Sequence, residues 1–78
     1  MTYIVLFFTH SGSIKFERKC IKNNIPCELM PVPRSLSSNC SISAKIDFDG
    51  SIEDLTDDEI EKIFVTEDGD NKLIYEAE

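Results

Sequence analysis

Six apolar residues in a row, Tyr3-Ile4-Val5-Leu6-Phe7-Phe8, open the pattern along this chain. The run is rich in β-branched and aromatic types. It predicts a strand covered on both faces, hence a central one. Thr9-His10-Ser11-Gly12-Ser13 then interrupts it, and Ser11 or Ser13 could cap a following helix. From Ile14 to about Asn23, helical spacing puts Ile14, Phe16, Cys20 and Ile21 on one broad apolar arc. Lys15, Arg18, Lys19 and Lys22 fall largely outside it. Glu17 falls inside. A carboxylate there needs a donor, with Arg34, His10 or loop amides as candidates, unless it sits at the edge of the arc and reaches water. Asn23-Asn24-Ile25-Pro26 ends the helix, because Asn tolerates a left-handed cap and proline blocks continuation.

Cys27-Glu28-Leu29-Met30 alternates as a strand. Pro31 and Pro33 cannot donate to a ladder, which puts this strand at an edge. After a polar stretch, residues 41–48 alternate strictly. Ile42, Ala44, Ile46 and Phe48 share one face; Ser41, Ser43, Lys45 and Asp47 share the other. Thr56-Asp57-Asp58-Glu59 has the form of a capping box, with Leu55 and Ile60 as its hydrophobic staple and Ile60, Ile63 and Phe64 as an apolar stripe. It predicts a second helix. Glu67-Asp68-Gly69-Asp70-Asn71 reads as a turn, and Lys72-Leu73-Ile74-Tyr75 as a short edge strand. The order β-α-β-β-α-β fits an α+β, ferredoxin-like two-layer sandwich, with both helices on one face. The other face would expose alternate apolar residues of the first strand, which points to a homodimer through the sheet.

The chain of 78 residues predicts one domain spanning 1–78. A domain this small buries only about 60% of the surface its unfolded chain exposes, so chemistry belongs on a loop or at an interface. No run approaches the roughly 18 apolar residues of a membrane helix. The first residues lack a basic region and a cleavage site, so a cytoplasmic location is expected. Cys20, Cys27 and Cys40 are an odd number with no C-x-x-C spacing, which argues against a disulfide framework. Cys20 and Cys27 read as packing residues. With His10 the only histidine, a zinc site lacks ligands and no metal is expected.

Charge divides the chain. Residues 1–46 carry six cations against Glu17 and Glu28, 6 − 2 = +4; residues 47–78 carry two against thirteen acids, 2 − 13 = −11. The acidic half either keeps a small protein soluble or docks basic partners. One mildly basic helix does not make a phosphate-tracking stripe, so nucleic-acid binding is not expected.

The candidate chemistry lies in Pro33-Arg34-Ser35-Leu36-Ser37-Ser38-Asn39-Cys40. Small hydroxyl residues ending in a thiol contribute little to a core. Ser37, Ser38 and Asn39 can turn the backbone and aim N–H groups at the Cys40 sulfur, and Arg34 supplies a cation; both favour a reactive thiolate. The bland alternative is an ordinary surface thiol. His10 follows the central strand and could act as acid or base toward Cys40, or be a polar loop residue. Asp47-x-Asp49-Gly50 and Asp68-Gly69-Asp70-Asn71 are fragments of calcium loops without the full spacing, and read as turns.

The segment from Met30 through Pro33-Arg34 and Ser37-Ser38 to Cys40 resembles the core of a bacterial family of small domains labelled "putative selenium/sulfur carrier protein-like". Glu17, Ile25 and Pro26 match its pattern too. The resemblance is strongest over 3–48 and leaves the acidic part, 49–78, peculiar to this chain. It implies a carrier or accessory protein rather than a turnover enzyme, without a cofactor, in which Cys40 relays sulfur or selenium as a persulfide. The partners would be an acceptor and a donor such as a cysteine desulfurase. Arg34 and loop amides would stabilise the anion and Glu17 would brace the loop. Ser41 stands where the family has glycine, a residue with backbone freedom that serine lacks. The alternative function is a non-catalytic interaction module docking through its sheet face or acidic half.

Overall fold

The computed structural model describes residues 1–36 and 40–78. Strand β1, Thr2–Phe7, leads into helix α1, His10–Lys22, and edge strand β2, Cys27–Pro31. Strand β3, Ile42–Asp47, follows, then a short 3₁₀ turn, Ile52–Leu55, and strands β4, Ile60–Glu67, and β5, Asp70–Glu76. The sheet runs β2-β3-β1-β4-β5 with every neighbouring pair antiparallel. β1 is central and β2 lies at an edge, as the apolar run and the prolines require. β1 and β2 run parallel with β3 between them, which is the split β-α-β unit.

The second helix is not formed, so this is an α+β fold with, among the described residues, one α-helix and five strands rather than β-α-β-β-α-β. Thr56 does not cap: its Oγ1 donates to the Ile52 carbonyl at 3.1 Å. The Asp57 carboxylate instead accepts the Glu59 N–H at 2.9 Å. Residues 60–67 are rich in β-branched types, and both flanks are paired, by β1 and by β5. The segment of residues 51–59 lies along α1 where a second helix would have packed. Lys19 donates to the Leu55 carbonyl at 3.3 Å, and Leu55 is buried in the core. The β4–β5 hairpin closes on Asp68 and Gly69, both at positive φ, 51° and 84°. Those angles make the mirror-image two-residue turn that matches the twist of paired strands.

The core lies between sheet and helix. Tyr3, Val5 and Phe7 of β1 meet Ala44, Ile46, Ile60, Ile63 and Val65 on one side and Phe16 and Cys20 on the other. The helix starts earlier than its spacing suggests. Thr9, not Ser11 or Ser13, is the cap, its Oγ1 accepting the Gly12 N–H at 3.1 Å. Ser13 donates to the His10 carbonyl at 2.6 Å instead. Its buried face is Gly12, Ser13, Phe16 and Cys20, which leaves Ile21 in water at 67% exposure. The far face of the sheet is not an exposed apolar stripe. Ile4 and Leu6 are 7% and 0% exposed within one chain. They are flanked in register by Lys45, Phe64, Ser43 and Lys62, and the observation that pointed to a homodimer through this face is removed.

Gly12 is where helix and crossover touch. A Cβ there would lie 2.9 Å from both Cβ and Oε2 of Glu59. Glu59 cannot move freely, since its carbonyl accepts the Phe8 N–H at 3.1 Å and its carboxylate meets Lys15 at 3.5 Å. Gly12→Ala is therefore expected to lose about 1–3 kcal/mol of stability by overpacking, despite alanine's better helix propensity. Thermal unfolding followed by circular dichroism reads this as a lower midpoint.

Candidate functional site

The loop between β2 and β3 is built on a fixed base. The Val32 N–H donates to the Ser41 carbonyl at 3.0 Å and extends the ladder by one rung. Ser43, fully buried, donates its hydroxyl toward the Met30 and Pro31 carbonyls at 3.1 and 3.4 Å. Strict alternation assigns Ser43 to the solvent face. Its burial shows that it clamps the edge strand where the prolines interrupt normal pairing. On the far side, Pro33 to Leu36 makes a tight turn, the Leu36 N–H donating to the Pro33 carbonyl at 3.0 Å. Arg34 is exposed on that turn. Ser37, Ser38 and Asn39, named above as amide donors to the sulfur, lie outside the described residues.

Cys40 sits two residues before the start of β3. Its Sγ accepts the Ile42 N–H at 3.4 Å, and the residue is 8% exposed. It is therefore a largely buried thiol rather than a surface one, with a backbone donor aimed at its sulfur. Ser41, in the place of the family's glycine, is not among the residues at positive φ. The special freedom of glycine is not used there, and serine fits without strain.

The register sets the neighbours of this end of the sheet. Leu6 pairs with Ser43 and Phe7 with Ile60. The end of β1, the start of β3 and the start of β4 thus share one end, and α1 begins there. His10 is the first helical residue and is exposed, not a member of an open loop. Among the described residues, no side-chain hydrogen bond or ion pair joins His10, Arg34 or Glu17 to Cys40. Glu17 lies instead near Cys20 and Cys27, where its charge acts on both thiols.

Cys20 lies in the core and Cys27 packs against it. Burial pushes the Cys20 thiol up, partly offset by Cys27 and by Lys19. Burial, then the Cys20 sulfur and the Glu17 charge, push the Cys27 thiol up to about 12. Both are protonated at neutral pH and poor nucleophiles.

This has a consequence for alkaline stability. An ordinary thiol ionises near 9.0, whereas Cys27 in the folded chain holds its proton to about 12. Above about pH 9 the unfolded chain has lost a proton the folded chain keeps, so stability falls as pH rises between those values. Melting temperatures across that range should decline, and Cys27→Ala should flatten part of the decline.

Among the described residues, no helix is long and apolar enough to cross a membrane. Neither the curated proteins nor the solved structures gave a match to this chain. A family model described as "Putative Se/S carrier protein-like" matches residues 2–75. That span takes in β4 and β5 as well as the cysteine loop, so the acidic part is a section of the family domain rather than an addition to it. Covering nearly the whole chain, the match means that this protein belongs to the Se/S carrier protein-like family.

Proposed function

We propose that the chain is a sulfur or selenium carrier and that Cys40 holds the cargo as a persulfide-type group. The observation that carries this reading is the Ile42 N–H directed at Cys40 Sγ, in a chain whose other two thiols are held protonated by burial. A donor aimed at sulfur favours the anion, either thiolate or persulfide.

The transfer is balanced without an outside oxidant. The Cys40 thiolate attacks the outer sulfur of a donor persulfide, R–S–SH. The donor S–S bond breaks, R–S⁻ leaves, and Cys40 becomes Cys40–S–SH. An acceptor thiolate repeats the step and returns Cys40 to the thiolate. Selenium in the outer position follows the same path. The donor class is a persulfide-bearing protein such as a cysteine desulfurase.

Competitive alkylation tests the site. Exposure alone ranks the half-buried Cys27 first, but burial pushes its thiol up to about 12 and leaves it a poor nucleophile. With limiting iodoacetamide at pH 7.5, Cys40 is expected to react on the order of tenfold faster than Cys27. Labelling of Cys27 ahead of Cys40 would count against the proposal.

A second reading rests on the other edge of the sheet. β5 leaves Leu73 and Ile74 at 45% and 43% exposure, beside the exposed acids Asp68, Asp70 and Glu76. A basic protein could dock there without any role for Cys40. Its binding would weaken with salt and on neutralising Asp68, Asp70 and Glu76, and would be indifferent to Cys40→Ala.

A further inference from the structure

The two edges of the sheet are finished differently. At one edge, β2 ends on Pro31, and Pro33 follows soon after; neither can donate to a further strand. At the other, β5 runs from Asp70 to Glu76 without a proline. The sheet ends there, so among the described residues no strand pairs with its outer side. A strand so placed turns a row of N–H and C=O groups outward. Leu73 pairs with Phe64 and Phe64 with Ile4, which puts exposed Leu73 on the sheet face away from α1. Tyr75 pairs with Ile63 and packs against the core on the other face. A strand laid against β5 finds an apolar neighbour on each face.

Charge decides which strand that is. Residues 67–78 carry Glu67, Asp68, Asp70, Glu76 and Glu78 against Lys72, 1 − 5 = −4, and all six are exposed. Lys62 of β4 meets Glu76 at 3.8 Å and offsets one of the acids. Two copies of this edge therefore repel each other. The pairing of Ile63 with Tyr75 and of Phe64 with Leu73 leaves Ile74 as an extra residue, a bulge that raises the local twist. Charges and a bulge are devices that stop an edge from pairing with its own kind. Neither excludes a strand of opposite charge.

We infer that β5 is the docking edge for an extended, basic segment of a partner protein, which joins the sheet as a sixth strand. Main-chain hydrogen bonds to the outer side of β5 hold the segment, as in other cases of strand addition. Its apolar side chains lie beside Leu73 and Tyr75. Its cations sit near Asp68 and Asp70 at one end of β5 and near Glu76 and Glu78 at the other, where they set orientation and speed the encounter. The segment that fits is apolar in the middle and basic at both ends. The inference rests on the reading in which a basic protein docks at this edge, and it needs no role for Cys40.

The probe is an end-blocked peptide, Lys-Lys-Thr-Val-Ile-Val-Lys-Lys, titrated into the isotope-labelled full chain and followed by amide NMR at about 20 mM salt. Shifts are expected to concentrate in β5, with slowed hydrogen exchange of its amides. Raising the salt to about 200 mM should weaken binding roughly fivefold. Asp68→Asn combined with Asp70→Asn should weaken it several-fold, and a peptide with glutamate in place of each lysine should not bind. Adjacent Val and Ile amides point to opposite edges of an extended peptide. N-methylating both removes a donor from whichever edge faces β5 and should weaken binding about tenfold. Equal binding of the methylated peptide overturns strand addition and leaves basic docking in place. No shift in β5 with the basic peptide overturns both. Shifts centred on β2, or equal binding of the acidic peptide, also overturn the inference.

Discussion

Cys40→Ala is expected to abolish sulfur loading while leaving the fold in place. The nucleophile of the proposed transfer is one atom, and neither remaining thiol can substitute for it. Both are held protonated in the core, Cys27 up to about 12. Loading from a persulfide donor should therefore fall by roughly 100-fold or more, to the level of non-specific labelling. The structural cost is small by comparison. Cys40 is outside the main core cluster, and its sulfur accepts the Ile42 N–H. A loss of about 1 kcal/mol is expected, small enough for the domain to stay folded at room temperature. A full loss of loading with a near-normal melting curve separates a chemical role from a packing one. A variant that loads normally removes Cys40 from the mechanism.

Phe16→Ala should have the largest effect on stability. Phe16 is fully buried and is the main aromatic by which the single helix grips the sheet. Its ring lies 5.3 Å from that of Phe7, tilted by 56°. Truncating a buried phenylalanine costs about 3–5 kcal/mol, because the cavity cannot fully collapse. A domain of this size has only about 4–12 kcal/mol in total. Beside α1 this face is covered only by the irregular segment around Leu55, which leaves little to close over the gap. The variant is expected to be substantially unfolded at 37 °C, or to melt far below wild type. Denaturant titration followed by circular dichroism gives the difference directly. A change under 1 kcal/mol would mean that the helix is held by other contacts.

Much of this architecture is legible in the residues. The unbroken apolar run gave a central strand, the prolines after Met30 an edge strand, and the alternation around Ala44 and Ile46 a strand with one face in the core. Residues 56–64 misled because local and long-range signals conflict there. Thr56 and Glu59 have capping-box spacing, but Ile60, Ile63 and Val65 serve a strand equally well. The decisive partner lies further along the chain. Asp68-Gly69 is a strong hairpin signal, and a tight hairpin demands strands on both sides. Given its full weight, it would have converted the second helix into β4. The burial of Ile4 and Leu6, and the clamp made by Ser43, depend on cross-strand neighbours that no local pattern names.

The site divides in the same way. The position of Cys40 beside a strand, at the end of a polar loop, follows from the alternation that starts at Ile42. The Ile42 N–H bond to its sulfur and its near-complete burial do not, because both depend on how the strand is joined. The arc that Glu17 occupies asks for a donor such as Arg34, His10 or loop amides, and the resemblance implies a loop brace, yet its charge acts on Cys20 and Cys27. Those two cysteines read as packing residues, and Cys20 lies in the core with Cys27 packed against it.

The most direct test of the carrier proposal is persulfide mapping. The reduced chain would be incubated with glutathione persulfide, trapped with an alkylating agent, and analysed as intact protein and as peptides. The proposal predicts a gain of one sulfur atom on the Cys40 peptide alone, removed by a reductant. A chain that gains no sulfur at Cys40, or gains it equally at Cys27, would contradict it.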